Sequence, residues 1–241
     1  MSIHRGGSLL AACLCVLLAG AIWPEDEVTR SSSPVELSSA QIVDQMQRHN
    51  QARMEDLRQY QAIRHYQVEY RGFATTIAAK MDVEVNYDAS SGKTFRIVSQ
   101  SGSKFLGDKV LKRAVESEKE ASRDKGASAL TPANYKFKLA GSESLDGRPA
   151  YILEVEPVTP SKFLYRGRIW VDAADFAVAK METEPAKSPS FWISRTLIRY
   201  TSAKVDNFWL PREVRSETKV RIGGTAVLTI DYGKYQVVPR A

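Results

Sequence analysis

The amino-acid sequence predicts an α+β protein with one strongly curved antiparallel β-sheet. We expect a half-open barrel of about ten strands, with two or more helices covering its concave face. Two stretches carry apolar residues at helical spacing, and most of the others alternate apolar and polar residues with a period of two. Short turns join the alternating stretches, which favours an antiparallel meander. About ten twisted strands in one sheet tend to curl and leave a concave apolar face.

The first 21 residues have the pattern of a secretory signal peptide. A positive charge at Arg5 precedes an apolar run over residues 8–19, and small residues at 19–21 suit signal peptidase. The run is shorter than the roughly 20 apolar residues that span a bilayer. Cleavage after position 21 would remove Cys13 and Cys15, so the mature chain would contain no thiol.

A lipoprotein signal is the rival interpretation of this segment. Residues 10–13 have the residue types of a lipobox that ends at Cys13. Only a few apolar residues precede Cys13 and several follow it, so the cysteine lies inside the apolar run. Plain secretion is therefore favoured over a lipid anchor at Cys13.

A linker and a single domain are predicted after the signal. Residues 22–37 contain Pro24, Pro34 and three consecutive serines, which is typical of a flexible linker. The domain then covers residues 38–241. The formal net charge is +6, with the basic residues spread along the chain. For an exported protein this charge favours anionic lipid headgroups over nucleic acid, although an ordinary solvated surface explains it equally well.

The first helix is predicted over residues 38–59. Ser38 and Gln41 fit a capping box, which marks a sharp helix start. One broad apolar stripe follows at helical spacing. Its members are Ile42, Val43, Met46, Met54 and Leu57.

The second helix is predicted over residues 104–123. Its apolar edge is thin, comprising Phe105, Leu106, Val110 and Ala114, and the remainder is mostly charged. A connection over residues 124–132 follows it.

Strands are predicted on both sides of the second helix. A first strand begins at Tyr60, and the next two are expected at residues 81–87 and 93–99. Gly223 and Gly224 give a two-residue hairpin signal. The later strands are expected at residues 135–143, 150–157, 163–172, 177–184, 191–203, 209–222 and 225–238.

Residue patterns of the common enzyme classes are missing from the sequence. His49 and His65 form no zinc motif, and there is no nucleophile elbow or phosphate-binding glycine loop. Glu154 and Glu156 share one strand face and, with Asp172, form the only hydrolase hypothesis. Ordinary solvent-facing and turn positions explain these acids better. We therefore predict no catalytic residue, no metal site and no cofactor.

Large apolar side chains recur at alternating positions, and they can either fill a core or line a cavity for an apolar ligand. The sequence leaves both interpretations open. The candidate cavity-lining residues are Met46, Met54, Leu57, Tyr66, Val68, Tyr70, Val83, Val85, Leu106, Val110, Leu153, Trp170, Trp192, Ile198, Leu228 and Ile230.

The predicted order of elements resembles the LolA-like outer-membrane lipoprotein-sorting family over most of residues 38–238. The most distinctive strings are Leu-Thr-Pro-Ala-Asn-Tyr at 130–135, Tyr-Arg-Gly-Arg-Ile-Trp-Val-Asp at 165–172, Glu-Pro-Ala-Lys-Ser-Pro-Ser-Phe-Trp at 184–192 and Phe-Trp-Leu-Pro at 208–211. The resemblance implies a half-open barrel that holds acyl chains under helical lids.

These features together predict a periplasmic carrier. It would bind the acyl chains of lipoproteins or lipids in a hydrophobic cavity and move them toward the outer membrane. Its expected partners are the acyl chains themselves and membrane proteins of the inner and outer membranes, with no nucleic acid, and the chain is expected to be a monomer. The alternative is a non-transporting periplasmic sensor or binding module that contacts a protein partner.

Overall fold

The structure is a computed structural model, and it describes residues 37–123, 125–187, 193–221 and 223–240. The predicted signal peptide, almost all of the predicted linker, and Trp192 lie outside the described residues.

The first helix, α1, spans Ser39–Asp56 and begins at the predicted capping box. The Ser38 hydroxyl accepts from the Gln41 backbone N–H at 3.3 Å, and the Gln41 side chain accepts from the Ser38 N–H at 2.9 Å. The helix ends earlier than the sequence pattern indicates. Leu57 adopts extended dihedral angles and begins the first strand, because its side chain is buried in the core of the sheet.

Eleven strands form one antiparallel sheet. They are β1 (Leu57–Arg71), β2 (Thr76–Asp88), β3 (Gly92–Gly102), β4 (Tyr135–Leu145), β5 (Arg148–Pro157), β6 (Tyr165–Asp172), β7 (Val178–Pro185), β8 (Ile193–Val205), β9 (Phe208–Val220), β10 (Thr225–Asp231) and β11 (Tyr235–Pro239).

The sheet runs in the order β3-β2-β1-β10-β9-β8-β7-β6-β5-β4, and β11 pairs only with β1. β1 pairs first with β11 and then with β10 along the same edge, because residues 232–234 interrupt what the sequence predicts as one strand. The described parts of β3 and β4 do not pair with each other, so the sheet stays unclosed. The predicted half-open barrel with covering helices is confirmed.

The second helical segment is less regular than predicted. It consists of α2 (Lys104–Leu106), a π-helical turn (Gly107–Leu111) and α3 (Lys112–Arg123), and α4 (Lys125–Ser128) follows. The Ser103 hydroxyl caps its start. No helix among the described residues is long and apolar enough to cross a membrane.

Two apolar clusters join the helices to the sheet. In the α1 cluster, Ile42, Val43 and Met46 pack on β4, β5 and β6. In the α2–α3 cluster, side chains of the second helical segment pack on β1, β2, β9 and β10. The buried sheet residues of the α1 cluster are Tyr135, Leu153, Val155, Ile169 and Val171. The buried members of the α2–α3 cluster are Leu57, Tyr60, Tyr66, Val68, Ala79, Met81, Val83, Val85, Tyr87, Leu106, Leu111, Val115, Phe208, Leu210, Ile230 and Tyr232.

Candidate functional site

The concave face is defined by the strand register, because residues opposite each other on neighbouring strands point to the same side of a sheet. One row of apolar and tyrosine side chains crosses nine strands without a charged member. From β2 to β4 it consists of Met81, Tyr66, Ile230, Val214, Tyr200, Met181, Ile169, Leu153 and Leu139.

The neighbouring row is apolar at both ends but small in the middle. It consists of Ala79, Val68, Leu228, Ser216, Ile198, Thr183, Gly167, Val155 and Phe137. Ser216, Thr183 and Gly167 lie on the central strands β9, β7 and β6. These three side chains are shorter than the apolar side chains at the two ends of the row.

The helices cover the two ends of the sheet and leave its middle less enclosed. We define the central strip as the half-buried inward residues of β8, β9 and β10. They are Thr196, Ile198, Tyr200, Val214, Ser216, Thr218, Ala226 and Leu228. Val214 and Leu228 border the α2–α3 cluster, whereas Ile198 and Tyr200 belong to neither cluster. The strip is an apolar surface with interspersed hydroxyl groups that the protein's own helices do not bury.

Most of the predicted cavity residues lie on the concave face or on the helices above it. Met46, Leu57 and Leu106 are buried in the clusters, and Val110 is half-buried beside the α2–α3 cluster. The inward strand residues among them are Tyr66, Val68, Tyr70, Val83, Val85, Leu153, Ile198, Leu228 and Ile230.

Two predicted residues lie elsewhere. Met54 on α1 is 38% exposed, beyond the last buried turn of the helix. Trp170 is buried on the opposite, convex face, since its neighbours Ile169 and Val171 point inward. Its indole N–H donates to Glu143 at 2.6 Å, and the Lys180 ammonium lies 4.2 Å from the ring centre.

Sequence reasoning missed several residues of the concave face. The alternation of large apolar residues places Tyr200 in one set with Ile198, although Tyr200 is not among the candidate cavity-lining residues. Val214, Ser216 and Met181 belong to no such set. These three become part of the site only through pairing with strands distant in the sequence.

Burial raises the pKa of several phenols on the concave face. It raises the pKa of Tyr200 to about 12, although a hydrogen bond with Ser202 opposes this. Burial also raises the pKa of Tyr232 and Tyr235. A phenol is neutral at physiological pH even at its ordinary pKa of about 10, and the shifts reinforce that state.

A buried ionic cluster fixes the second helical segment to the sheet. Arg64 on β1 is 1% exposed and pairs with Glu118 of α3 at 2.5 Å, and Lys93 of β3 pairs with the same carboxylate at 3.3 Å. Burial opposes ionisation of Glu118, but Arg64 and Lys93 outweigh it and hold the pKa of the carboxyl below its usual value. The Arg64 guanidinium also lies 4.5 Å from the Tyr232 ring centre.

Two buried polar atoms in this region have no hydrogen-bond partner within the described protein. They are Arg64 Nε and the Tyr66 hydroxyl, and both point from β1 into the space beneath the second helical segment. An unpaired buried polar group costs about 1–3 kcal/mol of stability. The packing beneath the second helical segment therefore carries an energetic cost at these two atoms.

A second polar network holds the last turns of α1. Arg53 donates to the Asp175 carbonyl at 2.7 Å. Asp172, which is 2% exposed, accepts two hydrogen bonds from Arg148 at 2.5 and 2.8 Å. Burial would raise the pKa of Asp172, but Arg148 and two backbone N–H groups lower it overall. Asp172 is thus a structural anchor of the β6–β7 turn.

Asp172 lies apart from the other two acids of the hydrolase hypothesis. Glu154 and Glu156 both line a depression on the convex face, where Glu154 pairs with Lys138. Asp172 instead pairs with Arg148 opposite Ala150, further along β5. The described residues contain no group of three or more His, Cys, Asp or Glu side chains that could hold a metal ion.

A charged depression of about 630 Å³ lies on the convex face. Its charged lining residues are Lys136, Lys138, Glu154, Glu156, Arg166, Arg168, Glu182, Glu184 and Arg195. Opposite charges alternate around it, and Glu184 forms an ion pair with Arg195. This lining suits water or a charged partner and does not suit an acyl chain.

No protein-family model matches the chain, and no curated protein matches it. Solved structures do resemble it. A LolA superfamily protein from Nitrosomonas europaea is 13% identical, with a TM-score of 0.35, covering 86% of this chain and 96% of that chain. The family named by the sequence resemblance is among the structures that this chain is similar to.

Two further structures show similar values. A DUF1329 family protein from Desulfovibrio piger is 15% identical, with a TM-score of 0.42, covering 84% of this chain and 94% of that chain. A domain from Vibrio parahaemolyticus, named for outer membrane lipoprotein sorting, is 11% identical with a TM-score of 0.39, covering 81% of this chain and 91% of that chain.

Proposed function

We propose that this chain is a periplasmic carrier that binds acyl chains of lipids or lipoproteins on its concave face and moves them toward the outer membrane. The central strip is the observation that carries this proposal. Its inward side chains are half-buried, and Ile198 and Tyr200 belong to neither helix cluster. An acyl chain lying there would complete the burial that the helices leave unfinished.

The energetic reason is the cost of exposing hydrocarbon to water. Burying one CH₂ group of an acyl chain away from water stabilises the bound state by about 0.8 kcal/mol. The row from Met81 to Leu139 packs beneath the helical covers toward its ends, whereas its middle, at Val214, Tyr200 and Met181, is half-buried between them. A flexible chain could therefore lie across the strands without meeting a charged side chain of this row.

The helical covers suit reversible binding. Each rests on one end of the sheet through an apolar cluster and a small set of polar contacts, involving Arg53 for α1 and Glu118 for α3. Moving a cover would exchange contacts with the sheet for contacts with the ligand. Loading and release would then need only a modest difference in free energy between the two arrangements.

The test is a matched pair of substitutions on opposite faces of the sheet. Ile198→Asp places a carboxylate in the central strip, whereas Ile63→Asp places one on the convex face, where Ile63 is 37% exposed. We expect Ile198→Asp to weaken binding of a fluorescent fatty acid at least about tenfold, because the ligand would meet a charge in an apolar site. We expect Ile63→Asp to bind as the unaltered protein does.

Native mass spectrometry of protein purified from membranes provides the second measurement. The unaltered protein should retain a lipid-sized adduct that Ile198→Asp lacks, with similar thermal unfolding midpoints for both variants. Equal fatty-acid binding by both variants, or no bound hydrocarbon in any preparation, would remove the carrier proposal.

A protein-binding module is the second candidate, and the charged depression on the convex face favours it. Arg166 and Arg168 line this depression, and the structure gives neither an ion pair within the described residues. Replacing both with Glu should abolish capture of a periplasmic partner while fatty-acid binding persists. Stable capture without any fatty-acid binding by the unaltered chain would favour this module over the carrier.

A further inference from the structure

Three segments of the chain meet at one rim of the half-open barrel. They are the β1–β2 hairpin, the link from β3 into α2 and the β9–β10 hairpin. The Ser103 N–H donates to the Ala78 carbonyl at 2.7 Å, and the Tyr70 hydroxyl donates to the Gly223 carbonyl at 2.8 Å. A Cβ atom on Gly223 would lie 2.0 Å from the Phe73 ring, so the two hairpin tips are in contact. We call this edge the basic rim.

Two phenylalanines project from the basic rim. Phe73, at the tip of the β1–β2 hairpin, is 94% exposed, and Phe105, in the first turn of α2, is 66% exposed. Neither residue belongs to an apolar cluster of the described structure. A single exposed apolar residue needs no explanation, but exposed Phe side chains beside Lys and Arg residues are typical of surfaces that lie on a lipid bilayer.

The charged residues of the same three segments are all basic. Residues 70–80, 99–107 and 218–230 contain no Asp or Glu. Their cations are Arg71, Lys80, Lys104, Lys219 and Arg221. Over the whole chain, by contrast, 34 Lys and Arg residues face 28 Asp and Glu residues. Arg71 forms an ion pair with Glu69, just outside these segments, and Lys104 and Lys219 are exposed.

We propose that the basic rim docks on the surface of an anionic lipid bilayer. Phe73 and Phe105 enter the boundary between headgroups and acyl chains, and the cations of the rim contact lipid phosphates. Exposed aromatic side chains and clustered Lys or Arg residues are the two signals that together give stable peripheral binding. This surface goes beyond the acyl-chain site proposed on the concave face, because Phe73, Phe105 and the rim cations are not residues of the central strip and docking needs no bound acyl chain.

Vesicle sedimentation tests the aromatic part of the proposal. Vesicles of phosphatidylcholine alone and of phosphatidylcholine with 30% phosphatidylglycerol, as roughly in an anionic leaflet, are the probes. The unaltered protein should bind the anionic vesicles preferentially. The double variant Phe73→Ser, Phe105→Ser should partition about tenfold less. The control is Val238→Ser. Val238 is a 45% exposed apolar residue of β11 that pairs with Gln59 near the start of β1, whereas the basic rim lies at the other end of β1.

Sedimentation at several salt concentrations tests the ionic part. Lys104→Gln with Lys219→Gln should reduce binding to anionic vesicles and flatten its salt dependence. Arg58→Gln with Lys234→Gln, both exposed and away from the basic rim, should change neither.

Several results would overturn the proposal. They are equal binding of the unaltered protein to both vesicle types, no binding to anionic vesicles, or losses in the control variants as large as in the rim variants. Acyl-chain binding on the central strip is measured separately from vesicle binding. Rim variants should keep fatty-acid binding, and Ile198→Asp should keep vesicle binding, so failure of one proposal leaves the other measurable.

Discussion

The surroundings of Tyr200 and Ile198 depend on the residues that pair with them on the next strand. Both occupy ordinary alternating positions of β8, but their partners on β9 are Val214 and Ser216. The side chain opposite Tyr200 is a valine, and the side chain opposite Ile198 is the smaller serine. The raised pKa of Tyr200, to about 12, results from the protein surrounding this residue even though its surface remains partly accessible.

Trp170 illustrates the opposite case, a large aromatic residue that stabilises the fold away from the candidate site. Trp170→Phe removes the hydrogen bond to Glu143 and weakens the interaction with Lys180. We expect a loss of about 1–2 kcal/mol in the free energy of unfolding, measured by urea titration, with fatty-acid binding unchanged. A loss of binding at unchanged stability would contradict the assignment of Trp170 to the convex face.

The second helical segment owes its position to one of its several acidic residues. Glu118 points to Arg64 and Lys93, whereas Glu116 is 68% exposed in its side chain and pairs with Lys119. The exposed side of the segment is mostly charged, and its apolar contacts with the sheet come from one face. The buried ion pair adds a polar contact to that packing, and such a pair is costly to break because one charge is left behind.

We expect Glu118→Gln to destabilise the protein by about 3 kcal/mol or more, because Arg64 would remain buried without its partner charge. Glu116→Gln, on the exposed face of the same helix, should cost less than about 0.5 kcal/mol. Hydrogen exchange should become faster over residues 104–123 in Glu118→Gln. Unchanged exchange in that variant would show that apolar packing alone holds the segment.

The same pair predicts the response of this segment to acid. The pKa of Glu118 is lower in the folded state than its ordinary value of 4.5, so the pair's stabilisation is fully present above pH 4.5. It is lost as the pH falls through the lowered value. Limited proteolysis within residues 104–123 should therefore become faster as the pH is lowered from about 7 through the ordinary range of glutamate pKa values and below it. Glu118→Gln should show no such dependence on pH.

Over the whole molecule, the concave face depends on pairings between strands that are distant along the chain. Val68 of β1 lies opposite Leu228 of β10, and Thr183 of β7 lies opposite Ile198 of β8. The sheet remains open between β3 and β4, so two separate helices, and not sheet closure, shield its ends.

We propose, as the sequence predicts, that the exported form starts at Ile22 and carries no thiol. Protein isolated from the periplasm should react with no equivalent of a thiol reagent under denaturing conditions, since Cys13 and Cys15 would have been removed. Protein made in the cytoplasm without export should react at both cysteines. An intact-mass measurement locates the cleavage site, and a lipid-modified Cys13 would instead establish the rival anchored form.

The sequence by itself determined the alternation of the strands, the capping box at Ser38 and the presence of two helical segments, because these depend on local periodicity and turn chemistry. Tertiary structure decided that Leu57 begins a strand, that Trp170 points outward and that Arg64 meets Glu118. A period of two divides a strand into two faces, but it does not say which face the helices cover. That choice depends on partners far away in the chain, and so does the difference between a filled core and an apolar strip left partly open.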